Sequence, residues 1–129
     1  MSKIPENLKY SKEHEWVEVQ SETKVRVGIT DYAQDSLGDI VFVETPDEGK
    51  TFAKDESFGS IESVKAVSDM FAPVGGKIIG KNETLVDSPE SVNSDPYGKG
   101  WLIELEPNDA SQLDSLMDAA AYKEYISTL

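Results

Sequence analysis

Cysteine is absent from the chain, and histidine occurs once, at position 14. The first absence excludes a thiol nucleophile, a redox dithiol of the protein's own and any zinc site built on sulfur. The second leaves only His14 to serve a Ser-His-Asp triad, and no nucleophile-elbow sequence accompanies it. Positive charge is also scarce: 12 Lys and Arg stand against 25 Asp and Glu, a formal net charge of −13. With no basic footprint to neutralise phosphates, the chain is not expected to bind nucleic acid, and an anionic membrane surface repels it. No apolar run reaches membrane-spanning length. The acids at Asp31, Asp35, Asp39, Asp47 and Glu48 lack the spacing of a calcium loop, so no metal is expected. The opening residues 1–6 show neither an apolar signal core nor an Arg-rich transit pattern, which predicts a cytoplasmic protein. Conventional catalysis has little to work with, and any chemistry is expected to use a borrowed reactive group.

What is present reads as one folded unit. A chain of 129 residues with 38% hydrophobic and 29% charged content suits a single globular domain, 1–129, with one real core. Residues 7–12 read as a polar lead-in. Residues 14–19 alternate, with Trp16 and Glu18 on one face and Val17 and Val19 on the other. Val25, Val27 and Ile29 then alternate against Lys24, Arg26 and Gly28, and Gln20-Ser21-Glu22 makes the turn of a hairpin. Thr30 is placed to N-cap a short helix over residues 31–37, with Gly38 past its end. Ile40-Val41-Phe42-Val43 is a β-branched apolar run, the mark of a strand buried on both faces. Strands are further predicted at 77–80, 84–86 and 101–105, with a long surface loop over 87–99. From Asp109 the 3, 4 and 7 spacing of Leu113, Leu116, Met117, Ala120 and Ala121 predicts helix, with 122–126 extending it or forming a second one. Trp16 and Trp101 are expected in the core. The fold class is mainly β, a small β-sandwich or barrel with a short helix after the first hairpin and helices at the C-terminus.

The centre of the chain is Phe58-Gly59-Ser60-Ile61-Glu62-Ser63-Val64-Lys65-Ala66-Val67-Ser68-Asp69. Two extended runs flank one lysine, with no Gly or Pro between them. Two-residue hairpin turns favour residues that accept positive φ, and Val64-Lys65 does not, so a longer turn of type I character is expected. Lys65 at such a tip offers a reachable primary amine.

Glu62-Ser63-Val64-Lys65-Ala66, with Ser68-Asp69 after it and Gly76 eleven residues beyond the lysine, resembles a lipoyl-attachment site. Four further blocks, in order, resemble the H proteins of the glycine cleavage system. They are Tyr10-Ser11-Lys12-Glu13-His14-Glu15-Trp16-Val17, Gly28-Ile29-Thr30-Asp31-Tyr32-Ala33-Gln34, Leu37-Gly38-Asp39-Ile40-Val41-Phe42-Val43, and Asn93 through Pro96-Tyr97-Gly98 with Gly100-Trp101-Leu102. Departures are small: Thr45 replaces a larger apolar residue, and Gly75 stands where serine is common. The resemblance implies a lipoyl-domain-like barrel-sandwich hybrid and a carrier rather than a catalyst. Lipoate joins the Lys65 amine through an amide, which cancels its charge. Glu62 and Gly76 belong to the attachment signature, Glu62 open to the lipoylating enzyme and Gly76 in a tight turn beside the lysine hairpin. His14, Glu15 and Asp69 are expected near a cleft where the loaded arm rests, their carboxylates holding a cationic aminomethyl group. The implied partners are a pyridoxal-phosphate glycine decarboxylase, a tetrahydrofolate-dependent aminomethyltransferase, a flavin dihydrolipoyl dehydrogenase and the lipoylating enzyme.

Two other readings compete. A lipoyl relay would hand lipoate to 2-oxoacid dehydrogenases, whereas a non-lipoylated interaction module would keep only the fold. Biotin is disfavoured because Val64 and Ala66, rather than methionines, flank the lysine.

Overall fold

The computed structural model describes residues 3–129; Met1 and Ser2, part of the segment read for targeting signals, lie outside the described residues. Two antiparallel sheets organise the chain. Strands β1 (Lys9–Tyr10), β2 (Glu15–Ser21), β3 (Lys24–Ile29), β5 (Thr51–Phe52), β8 (Gly76–Lys81) and β9 (Ile103–Pro107) form a six-stranded sheet in the order β1-β2-β3-β9-β8-β5. A three-stranded sheet takes β4 (Ile40–Glu44), β6 (Ser57–Ser63) and β7 (Val67–Phe71), in the order β4-β6-β7. One core cluster draws on both sheets, with Val17, Val27, Ile78 and Leu105 from the larger and Ile40, Phe58, Ile61 and Met70 from the smaller. A mainly β sandwich with a few short helices is the result, as the strand pattern predicts.

The first hairpin follows the alternation. Val17 pairs with Val27 and Val19 with Val25, and the inward positions Val17, Val25 and Val27 are at most 1% exposed. Trp16, on the opposite face, is also buried, because its indole lies over Gly28 and donates to the Pro96 carbonyl at 2.9 Å. Trp101 is only half-buried, its ring lying 4.5 Å under the Arg26 guanidinium. Helix α1 (Asp31–Leu37) begins with the Thr30 hydroxyl accepting from the Ala33 N–H at 3.2 Å. It ends at Gly38, whose φ of 83° suits a residue without Cβ.

Several expectations need correcting. The lead-in contains β1, whose Tyr10 is buried and stacks on Tyr122 with ring centroids 4.7 Å apart. Residues 84–86 form no strand but the helical turn α2 (Thr84–Asp87). Asn82 decides this locally: its Oδ1 accepts from both the N–H and the hydroxyl of Thr84. The long loop holds a second turn, α3 (Ser91–Ser94), pinned by fully buried Val92. Helix after Asp109 is interrupted. A 3-10 segment (Ala110–Ser115) gives way at Met117 to a two-way backbone bridge with Tyr10, and α4 (Ala119–Ser127) starts afresh at Asp118. Finally, β4 is not buried on both faces, since a register shift between Ile40 and Phe42 leaves Val41 and Phe42 47% and 53% exposed.

Candidate functional site

Lys65 stands in the three-residue connection 64–66 between β6 and β7 and is exposed. None of these residues has positive φ. The turn is held instead by the Ser63 side chain, whose hydroxyl oxygen accepts from the Lys65 N–H at 3.3 Å and the Ala66 N–H at 3.1 Å. The Ser63 N–H donates to the Ala66 carbonyl at 2.8 Å, closing the loop. Side-chain turns of this kind replace the Asn-Gly chemistry that the sequence lacks.

The loop is also anchored from outside. The Val64 N–H donates to the Asp39 carbonyl at 3.0 Å, and the methylene stem of Lys65 passes over Gly38. Asp39 sits between two peptide units that Asn93 of α3 holds. Asn93 Oδ1 accepts from the Ile40 N–H at 2.8 Å, and Nδ2 donates to the Gly38 carbonyl at 2.9 Å and to Gln34 Oε1 at 2.8 Å. A residue 28 positions along the chain thus fixes the shelf on which the lysine loop rests. Asn93 carries no sign of this in its neighbours, since the contact is long-range and polar. Among the described residues, no carboxylate lies within 4 Å of the Lys65 ammonium, and it makes no hydrogen bond. The amine is therefore unpartnered and open to an acylating group.

The remaining candidate residues occupy different places. Glu62 lies on the outward face of β6, directly between Phe42 of β4 and Val67 of β7. Gly76 is remote from the lysine tip. It opens β8 beyond the far end of β7, and a Cβ there would collide with the Glu106 carbonyl, so close strand approach demands glycine.

Glu15 is 2% exposed. Its Oε1 accepts from the Ser11 hydroxyl at 2.6 Å and its Oε2 from the Phe71 N–H at 3.3 Å. Burial raises the carboxyl to about 8, against the opposing pull of these two hydrogen bonds. Ser11 and Phe71 both line a cleft of about 550 Å³, with Lys12, Lys54, Pro73 and Met117 among its other walls. His14, with an unusual φ of 71°, turns the other way. Its Nδ1 lies 2.8 Å from the Tyr122 hydroxyl, which is 2.7 Å from Thr30 Oγ1 at the start of α1. Desolvation among these rings lowers the His14 pKa, keeping the imidazole neutral at neutral pH. Asp69 is exposed and borders a separate depression with Glu44 and Ser60. His14, Glu15 and Asp69 share no hydrogen bond with one another and do not converge on one point.

Residues 8–129 match the sequence model of the family described as Glycine cleavage H-protein. The glycine cleavage system H protein of Halalkalibacterium halodurans is 59% identical over 127 residues, 98% of each chain. That of Halorhodospira halophila is 51% identical over the same span and coverage. The crystal structure of a glycine cleavage system H protein from Mycobacterium marinum superposes with a TM-score of 0.86 at 39% identity, covering 97% of this chain and 98% of that one. With five ordered sequence blocks, a free lysine at a hairpin tip and near-complete coverage in each comparison, the chain belongs to the glycine cleavage H-protein family.

Proposed function

We propose that this chain is the lipoyl carrier of the glycine cleavage system and that Lys65 is its attachment residue. The observation that carries the reading is the unpartnered Lys65 amine at the tip of an anchored three-residue loop, inside a family match that spans the chain. Residues 1–129 act as one carrier domain, and a core cluster shared by both sheets supports this.

The Lys65 Nζ, after releasing a proton to solvent, attacks the carbonyl carbon of an activated lipoyl carboxylate. The C–N bond forms, the nitrogen gives up a second proton to solvent, and the leaving group departs with the electron pair of the broken C–O bond. The resulting amide removes one positive charge from the surface. When bound, the group supplies a disulfide–dithiol couple that takes up a one-carbon amine unit and two electrons, chemistry a chain without cysteine lacks. The protein's own part is non-catalytic. Ser63, Asp39 and Asn93 hold the root of the arm, so the tethered group reaches successive active sites at high effective concentration. Those sites belong to glycine decarboxylase, the tetrahydrofolate-dependent aminomethyltransferase and dihydrolipoyl dehydrogenase, all working in the cytoplasm.

The cleft beside Glu15 is where we place the resting arm. Glu15, buried behind Ser11 and Phe71, holds its proton at neutral pH, and the carboxylates on the cleft wall itself, Glu13 and Asp55, are the partners for a cationic amine arriving there. His14, turned onto Tyr122, contributes by keeping the loop ahead of Glu15 in place, and Asp69 contributes surface charge. In a reconstituted system, the lipoylated chain is expected to support glycine decarboxylation and Lys65→Arg to support none. Equal rates from the two proteins would overturn the reading.

A further inference from the structure

Two rows of side chains cross the outward face of the three-stranded sheet. Phe42, Glu62 and Val67 pair directly across β4, β6 and β7, and Glu44, Ser60 and Asp69 form the next row. Rows two residues apart are separated by about 7 Å. Phe42 is 53% exposed and Val67 68%; at the loop Val64 is 68% exposed, and at the β4 irregularity Val41 is 47% exposed. Four large apolar side chains are thus left in water around one lysine, a liability that folded proteins ordinarily avoid unless the patch is used.

The exposure is built rather than accidental. Asn93 fixes the Ile40 N–H, and the register shift that follows turns Val41 and Phe42 both outward. Bulges next to functional sites re-aim side chains in this way. The charge is one-sided too. Across β4, β6, β7 and residues 64–66, Lys65 is the sole cation, and the three acids Glu44, Glu62 and Asp69 all sit on the outward face.

We propose that this face is the docking surface for the enzyme that acylates Lys65, and that this enzyme meets it with an apolar recess bordered by basic side chains. The inference rests on the carrier reading above and adds which partner covers the face. Reach selects the partner. Acylation happens at Nζ, so the acyl donor must come within one lysine side chain of the hairpin, and the hairpin's flanks are covered when it does. The far end of a long tether can be served without covering the hairpin's flanks. Apolar contact near the lysine supplies affinity, while the acid row farther out steers a basic rim and fixes orientation.

The test is steady-state acylation by a lipoylating enzyme supplied with lipoate and ATP, read by intact mass and peptide mapping. For Phe42→Ser/Val67→Ser the KM for the chain is expected to rise about tenfold with kcat within twofold of wild type. Glu44→Lys should raise KM and flatten its dependence on salt, whereas Val19→Ser, 48% exposed on β2 of the larger sheet, should change neither constant. An unchanged KM in the double variant, or a loss confined to kcat, would overturn the docking proposal while leaving the carrier reading intact. Sedimentation of the wild type as a dimer that the double variant dissolves would assign the face to a second copy and overturn it as well. Wild-type chain that is not acylated at Lys65 would remove the carrier reading itself.

Discussion

In the β2–β3 hairpin, Trp16, Val17, Val25 and Val27 are at most 1% exposed, while around the β6–β7 hairpin Val41, Phe42, Val64 and Val67 are 47–68% exposed. Both hairpins are antiparallel, and both sit in the same small fold. The first is interior to a six-stranded sheet and has a neighbour on each side. The second lies in a sheet of three whose outer strands are both edges, and only its inner side meets the core. Apart from Val19 near its turn, 48% exposed, the apolar residues of the first hairpin are buried and hold the molecule together; those on the outer side of the second contribute little to folding and are available for recognition.

That contrast is sharpest across the two faces of the smaller sheet. Ile61→Ala, at an inward position 1% exposed, is expected to lower stability by about 2–5 kcal/mol. Phe42→Ser, on the outward face, should stay within about 0.5 kcal/mol. Denaturant unfolding of both variants checks this, and similar losses at the two positions would break the distinction.

Glu15, in the larger sheet, provides the next test. Its carboxyl holds a proton up to about pH 8 when folded, against an ordinary value of 4.5. The folded state therefore binds more protons than the unfolded state between those limits, and stability falls as pH rises through that window. Glu15→Gln removes this loss and keeps groups able to serve Ser11 and Phe71. The variant is expected to match wild type below pH 4.5 and to exceed it by a few kcal/mol, on the order of the linkage, above pH 8. Thermal unfolding at several pH values reads the difference, and a constant offset would contradict the buried-acid account.

Smaller effects are expected where the lysine loop is held. Asn93→Ala leaves the Ile40 N–H and the Gly38 carbonyl without their partner and should cost about 1–3 kcal/mol. Hydrogen exchange should quicken at the Val64 amide, which depends on Asp39, more than at the Ser63 amide, which bonds within the hairpin. Ser63→Ala should cost about 1 kcal/mol and reverse that order, quickening Ser63 and Ala66 first.

How much the sequence discloses follows the range of the deciding contacts. The first hairpin, the Thr30 cap and the lysine hairpin are legible because alternation and capping are local, and Lys65 stands inside a motif. The strand expected at 84–86 fails because an Asn82 side chain two residues upstream captures Thr84. The helix expected from Asp109 breaks because Met117 pairs with Tyr10, more than a hundred residues away. The exposure of Val41 and Phe42 is hidden for a related reason: a continuous apolar run looks the same whether both its faces are buried or an irregularity turns two residues outward. Of the residues expected at the cleft, Glu15 lies behind its wall, held there by Ser11 and Phe71, a burial that no local pattern announces.

The central claim is that the Lys65 amine, rather than any other of the chain's lysines, receives the carrier group because it stands at the tip of the anchored β6–β7 loop, where Ser63 and the Asp39 carbonyl fix its backbone. Peptide mass mapping of the chain from lipoate-replete cells tests it most directly. One lipoyl group on the peptide containing Lys65, and none in Lys65→Arg, is the predicted result. Lipoyl label spread over other lysines, or retained in Lys65→Arg, would contradict the account.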